Sequence, residues 1–525
     1  MSRIGLIFTA VIFSSILFLT PPVSAKVSVN VPLGHWGYGA IDKLKALGLI
    51  HSDIRGTRPW TRMELARLIV EADEQFQEIA NSEEEEETKP RGRTEITRAI
   101  LGRLKGEFSV DLDEVSGVGG VSTYIKPLED VYLHYFYGNN DFNIENDKGQ
   151  KLAEDSNFRL GFSTHGAAWS HIGFYLNPEY RYSDDQFGGD DQEVRLFEGY
   201  GKLEFFNIEL QVGRDTLWWG TGRHGSMILT HNARPFDLVK LSNPNPVVLP
   251  WIFKYLGLCK FQWFWTELES NRVIPNTEFM GFRVNIKPAP FFEIGAARTY
   301  QLGGRGSGVK GISDLNFSDW MNILFEGNAQ DELDVNQIAG IDGILYVNNL
   351  DQWIPVVKSV QIWGEYYGED ESGNWISDIG YVAGIKFGDL FLLGRTDLIF
   401  EYADNAESGD RLVWYNNAIY RSGYRYKGEV MGHNMDTEAQ DYFVHLENYL
   451  TPDFILGLDY NYQERVTEGP VTEYINRFDL DLTWQRTETL RIQAGYRYET
   501  IENLDLVRGD DQDNHIFWLF ADYSF

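Results

Sequence analysis

Asn514-His515-Ile516-Phe517-Trp518-Leu519-Phe520-Ala521-Asp522-Tyr523-Ser524-Phe525 ends the chain. Side chains of an extended strand alternate between faces, so Phe517, Leu519, Ala521, Tyr523 and Phe525 share one face. An edge strand at an ordinary terminus buries one face against protein and tolerates a frayed, polar last residue. A large aromatic in register at the last position instead predicts the closing strand of an outer-membrane β-barrel, with its apolar face toward lipid.

The same period recurs upstream. Leu490, Ile492, Ala494, Tyr496 and Tyr498 oppose Arg491, Gln493, Gly495, Arg497 and Glu499, and Phe478, Leu480, Leu482 and Trp484 oppose Asp479, Asp481, Thr483 and Gln485. A soluble sandwich packs its apolar face on a second sheet, whereas a barrel turns the polar set into the lumen. Turn-rich stretches such as Asp184-Asp185-Gln186-Phe187-Gly188-Gly189, Glu369-Asp370-Glu371-Ser372-Gly373 and Arg508-Gly509-Asp510-Asp511 read as loops between hairpins. Alternation sets in after Glu107, and at roughly 20 to 26 residues per strand and connection the remaining chain allows about 16 to 20 strands.

The start of the chain supports this address. Met1 to Ala25 carries one cation, Arg3, then an apolar core from Ile4 to Leu19 and small residues at Val23-Ser24-Ala25, the pattern of a removable secretory signal. No cysteine near that junction supports a lipid anchor, and no later stretch reaches the roughly 18 apolar residues of a spanning helix. The expected division is therefore 1–25 signal peptide, 26–104 helical periplasmic module with an acidic linker, and 105–525 barrel.

Composition narrows the partners. With 78 acidic and 46 basic residues the formal charge is −32, and loss of Arg3 with the signal takes it to about −33. Such a chain is a poor binder of nucleic acid. Fifteen Trp and 28 Tyr beside a mean hydropathy of −0.32 suit a wet lumen with aromatic belts. The single cysteine, Cys259, has no internal partner and shares a strand face with Phe261, Trp263 and Trp265, as an inert apolar residue.

Between signal and barrel, Ala40, Ile41, Leu44 and Leu47 predict one helix ending at Gly48. Thr61-Arg62-Met63-Glu64 predicts a reciprocal cap on a second helix carrying Leu65, Leu68, Ile69 and Ala72. Glu83 to Glu87 and Lys89-Pro90-Arg91-Gly92-Arg93 read as a charged linker, and Thr94 to Leu104 as a further helix with Ile96, Ala99, Ile100 and Leu104 on one side. Helices this short cannot bury much core alone, so they are expected to dock on the barrel or on another partner.

The candidate chemistry lies between Gly213 and Pro246. Gly213-Arg214-Asp215-Thr216-Leu217-Trp218-Trp219-Gly220-Thr221-Gly222-Arg223-His224-Gly225-Ser226, followed by Asn232-Ala233-Arg234-Pro235, breaks the alternation. Tryptophan faces suit sugar C–H surfaces, and Arg, Asn and His suit hydroxyls or carboxylates, which makes Arg214, Asp215, Trp218, Trp219, Arg223, His224, Asn232 and Arg234 candidate glycan-binding residues. A plug or constriction uses the same residues to satisfy one another. Asp215, His224 and Ser226 raise a hydrolase reading, but nearness in a Gly-rich loop does not supply convergent geometry. Gly306-Ser307-Gly308-Val309-Lys310-Gly311 has dinucleotide-loop spacing without a strand-turn-helix around it, and the ten His lack metal-ligand spacing, so neither cofactor nor metal is expected. The acidic loops Asp184-Asp185, Gly189-Asp190-Asp191 and Gly509-Asp510-Asp511 read as solvated or as contacts to cations bridging lipopolysaccharide.

Trp218-Trp219-Gly220-Thr221-Gly222, Gly225-Ser226 and Asn232-Ala233-Arg234-Pro235 resemble the signature of the capsule assembly Wzi family, and Tyr426-Lys427-Gly428-Glu429-Val430-Met431-Gly432-His433 is similar to its later Gly-and-His segment. The resemblance implies an all-β transmembrane fold, an antiparallel outer-membrane barrel of about 18 strands, in a non-enzymatic surface lectin that retains capsular polysaccharide or exopolysaccharide. His35-Trp36-Gly37-Tyr38-Gly39-Ala40-Ile41-Asp42-Lys43-Leu44 with Thr61-Arg62-Met63-Glu64 looks like one degenerate S-layer homology repeat. Such repeats usually hold wall polymers in several copies, so Trp36 and Arg62 are candidate contacts to peptidoglycan or another wall polymer, or else parts of a cap beneath the barrel. Lipid, lipopolysaccharide and the barrel assembly machinery are the other expected partners. The rival function is a porin or sugar-selective channel, drawn from the strand count and from lumen-facing Arg491, Gln493, Arg497 and Glu499.

Overall fold

The computed structural model describes residues 26–83, 91–117, 123–184, 191–325, 331–372, 375–406, 413–466 and 469–525. The expected signal peptide, most of the acidic linker and parts of several acidic loops lie outside these residues. Among the described residues, strands from Tyr124 to Ser524 form a closed antiparallel barrel of 18 staves. Closure is made by Gln512–Ser524, which pairs with Leu490–Glu502 on one side and Asp130–Gly138 on the other. The backbone N–H of Phe525 donates to Glu129 O at 2.9 Å, so pairing runs through the final residue. Closure leaves these strands no free edge, which a spanning sheet requires.

Alternation sorts the faces as expected. Phe517, Leu519 and Tyr523 point outward, and Phe525 is 58% exposed at the rim. The Cys259 face with Phe261, Trp263 and Trp265 also points outward, while Lys260, Gln262 and Phe264 are buried toward the lumen. Inside, Arg497 meets Asp479 at 2.7 Å and Gln493 meets Asp481 at 3.1 Å. Short turns such as 205–208 and 289–292 gather at the end that holds Phe525, and the long connections 216–235, 303–335 and 405–438 lie at the other. Outer-membrane barrels place short turns in the periplasm and long loops outside.

Among the described residues four helices precede the wall: α1 (Gly37–Ala46), α2 (Arg62–Glu83), α3 (Arg91–Glu107) and α4 (Ser109–Val115). Ile41, Leu44, Leu65, Leu68, Ile69, Ile96, Ile100 and Leu104 share one core with Trp60 and Phe108. The strand period therefore begins at Tyr124, not at Glu107: Phe108 is buried in the helical core and α4 packs on α2. The predicted cap is half formed. Thr61 Oγ1 accepts from Glu64 N at 3.1 Å, but the Glu64 carboxylate turns away to Lys260 on the wall at 2.6 Å, a stronger charge-assisted partner.

Residues 26–61 fill the lumen. Lys43 pairs with Asp397 at 2.7 Å, Arg55 N and Gly56 N donate to Glu293 at 2.9 Å, and Asn30 Oδ1 accepts from Lys202 at 2.6 Å. Thr57–Arg58 forms a two-residue antiparallel sheet with Trp218–Trp219 of the long inward-folded loop. A stave's inward polar residues would face water in an open pore; here they face plug.

Intact protein in planar bilayers is expected to show no stepwise conductance, and a chain lacking residues 26–61 to conduct. Equal conductance from both would contradict the plug.

Candidate functional site

The loop 216–235 leaves the wall after the strand Ile208–Asp215 and returns at Phe236–Ser242. Two wall carboxylates hold it. Glu365 accepts from Gly222 N at 2.8 Å, Ser226 Oγ at 2.9 Å and Met227 N at 3.0 Å. Glu401 accepts from Arg223 N at 2.7 Å, His224 N at 2.8 Å, Gly225 N at 3.1 Å and Trp363 Nε1 at 2.7 Å. Successive backbone N–H groups converging on a carboxylate make a strong anchor, because each bond is charge-assisted. Only glycine fits at Gly220, whose φ is +123° and whose added Cβ would lie 2.2 Å from Ser226 Oγ and 2.3 Å from Glu365.

The loop also meets a second inward-folded connection. Thr230 N donates to Met431 O at 2.8 Å, Thr230 Oγ1 to Gly432 O at 2.6 Å, Tyr415 OH to Met227 O at 2.7 Å and Tyr424 OH to Ile228 O at 2.8 Å. The two sequence patches, some 200 residues apart in the chain, are thus packed face to face, with Trp219, Met227, Ile228, Tyr415, Tyr424 and Met431 in one buried core.

The eight candidate residues fall into four groups. Trp218 and Trp219 are 2% and 0% exposed, so their rings face protein: Trp218 lies under the Arg58 guanidinium at 4.6 Å and Trp219 packs edge-on to Phe264 at 5.1 Å. Asp215 accepts from Asn30 at 2.7 Å and Gln211 at 2.7 Å, and Arg223 donates to Asp42 at 2.7 Å and Gln361 at 2.6 Å, so both fasten the plug. Arg214 stands apart, in a bidentate pair with Asp237 at 2.8 Å outside the plug. His224, Asn232 and Arg234 come together beneath the connection 139–154. His224 stacks on Phe443 at 4.0 Å and its carbonyl accepts from Asn146 at 2.7 Å, Asn232 Oδ1 accepts from Asn146 N at 3.2 Å, and Arg234 reaches Gly149 O at 3.5 Å.

His224 opens on a polar cavity of about 150 Å³ that is also lined by Glu145, Asp459, Asn461, Arg477 and Arg497. Glu145 descends between Arg477 at 3.0 Å and Arg497 at 2.8 Å, and those cations hold its carboxyl well below the usual range although burial opposes them. Glu145, Arg477, Glu365 and Glu401 were not among the sequence candidates. Alternation marks the wall residues as inward but not which of them meets the loop.

Ser226 Oγ bonds Glu365 and the Trp219 carbonyl, and Asp215 bonds Asn30, so the Asp215, His224 and Ser226 side chains do not assemble into a triad. In the helical module Trp36 Nε1 donates to Glu107 at 2.7 Å, and Arg62 donates to Asp111 at 2.9 Å and Glu129 at 2.8 Å, so its guanidinium faces inward.

Two outcomes follow for the loop. Gly220→Ala is expected to cost about 1–3 kcal/mol of local stability, because the backbone stays strained and Ser226 or Glu365 must shift; protease nicking within 216–235 measures it. His433 is neutral at pH 7, its pKa lowered to about 4 from 6.5 chiefly by burial, which outweighs Asp441. Between those pH values the opened loop takes up a proton that the packed one refuses, so stability is full above pH 6.5 and falls by up to about 3 kcal/mol as pH drops toward 4. Hydrogen exchange of 224–235 and 424–435 is expected to accelerate from pH 7 to pH 5, and His433→Asn to flatten that dependence.

Comparison with known proteins gives one consistent answer. An uncharacterized 55.8 kDa protein in the cps region of Klebsiella pneumoniae is 26% identical over 245 residues, 45% of each chain, so the match spans about half the length of that relative. The solved structure of Wzi from Escherichia coli, an outer-membrane protein involved in group 1 capsule assembly and described as a carbohydrate-binding β-barrel, superposes with a TM-score of 0.70 at 18% identity, covering 95% of this chain and 100% of that one. At that identity the superposition establishes the fold. The family model of capsule assembly protein Wzi matches residues 138–516, which takes in most of the wall, the Trp218-Trp219 loop and the segment around His433, and the chain belongs to that family.

Proposed function

We propose that this outer-membrane barrel is a non-enzymatic lectin that binds exported capsular polysaccharide or exopolysaccharide and retains it on the cell. The observation that carries the reading is the filled lumen. Wall carboxylates hold two long connections inward over an ion-paired plug, which leaves a fixed outer surface and no wide bore. Rigid, pre-organised surfaces bind with less ordering cost than mobile loops. Membership of the capsule assembly family and the carbohydrate binding described for the Escherichia coli relative support the same ligand class.

Within that surface, His224, Asn232 and Arg234 stand nearest the outer connections and are the proposed direct contacts. Trp218, Trp219, Asp215 and Arg223 support the loop from beneath, and Arg214 contributes from its separate place beside Asp237. We assign residues 1–25 to a secretory signal and residues 26–104 to a periplasmic module whose first part, 26–61, enters the lumen as the plug and whose helices from Arg62 onward form a periplasmic cap. The inward bonds of Trp36 and Arg62 favour that cap over independent contact with wall polymer. Lipid, lipopolysaccharide and the assembly machinery are the partners expected of any such barrel.

Purified full-length protein is expected to retard the host's own surface polysaccharide in a gel-shift assay, and His224→Ala combined with Arg234→Ala to weaken retardation at least tenfold without loss of the heat-modifiable folded band. Deletion of the gene is expected to shed polymer into the medium. Unchanged surface retention, together with no binding in vitro, would sink the lectin reading.

A further inference from the structure

Most cations of the plug have a named carboxylate. Asp42 serves Arg55, Arg223 and Lys386, and Asp397 serves Lys43 and Lys386. Arg58 has none. Its Nε and Nη2 are sealed from solvent, and among the described residues no acceptor reaches either atom. The Trp218 ring lies 4.6 Å from its guanidinium carbon. Burial, with Arg55 beside it, depresses its pKa to about 9. A desolvated cation without a counter-charge is costly, and such groups are ordinarily paired.

Arg58 lines a cavity of about 280 Å³ shared with Tyr38, Trp60, Arg223, Phe443 and Glu447. That is near the lower end of the small-ligand range of about 300–1,000 Å³. An adjoining cavity of about 320 Å³ shares Tyr38, Gly39, His445 and Glu447 with it and extends to Ile100 and Arg103 of α3, at the periplasmic end. A small solute therefore has a way in from below, whatever the outer loops bind.

We propose that this cavity is an oxyanion site in which Arg58 receives the carboxylate of a monomeric sugar acid. A charge-assisted hydrogen bond from a guanidinium N–H to a carboxylate oxygen is roughly twice as strong as a neutral one. Tyr38, Trp60 and Phe443 offer flat apolar faces for a sugar ring, and Glu447, whose carboxylate has no hydrogen-bond partner among the described residues, offers an acceptor for its hydroxyls. The two free charges of opposite sign across one cavity select a ligand with an anionic end and a donor-rich body. Inorganic phosphate shares the anionic chemistry but lacks the ring.

Isothermal titration of the full chain in detergent with sodium glucuronate, glucose and inorganic phosphate tests the site apart from polymer retention. Glucuronate is expected to bind at least tenfold more tightly than glucose or phosphate, to lose at least tenfold in Arg58→Gln, and to be unaffected by Lys358→Gln, a surface charge change of the same kind. Phosphate as tight as glucuronate overturns the sugar acid in favour of an inorganic oxyanion. Equal affinity for glucuronate and glucose, no binding, or full binding by folded Arg58→Gln overturns the site. The wild-type comparison decides by itself should that variant fail to fold.

Discussion

The carboxylate of Asp42 joins three distant parts of the chain. Arg55 at 2.7 Å comes from the plug, Arg223 at 2.7 Å from the inward loop, and Lys386 at 2.6 Å from the wall. Burial alone would push its carboxyl up, yet the three cations hold it well below the usual range. Taking one carboxylate away would leave three buried cations short of a counter-charge, and breaking a buried pair of this kind costs about 3–5 kcal/mol. The plug, the loop and the stave are therefore not independent pieces that happen to touch.

That linkage accounts for the lumen's composition. A barrel of 18 staves is wide, and its inward face is polar by alternation. Apolar filling would strand those groups, so the plug meets them with charge: Lys43 with Asp397, Asp42 with Lys386 at 2.6 Å, and Asp53 with Lys287 at 3.0 Å. Such pairs add little net stability over a hydrophobic equivalent, but each is directional and tolerates few alternatives. They define where the plug sits more than how firmly.

Much of this was legible before the structure. Phe517 to Phe525 on one face located the closing strand, and the period of Phe478 to Trp484 gave the orientation of a stave, because strand alternation is local and needs no knowledge of the partner. Ile41, Leu44 and Gly48 marked α1 for the same reason. Phe108 and α4 escaped notice, since a seven-residue helix offers barely two turns of pattern. Within the site, the tryptophans were read as exposed platforms and are core, because composition shows what a ring can do and not which way it points. Glu365 and Glu401 were invisible for a related reason: a lumen-facing acid looks the same whether it meets water or the backbone amides of a loop distant in sequence.

The seam at Glu129 joins both ends of the described chain. Its carbonyl receives Phe525 N at 2.9 Å, while its carboxylate holds Arg62 at the foot of α2. Residues 26–61 emerge during synthesis long before the strand that completes the cylinder. The contents of this vessel thus precede its wall in synthesis, and the last stave is laid against the residue whose carboxylate holds the foot of α2.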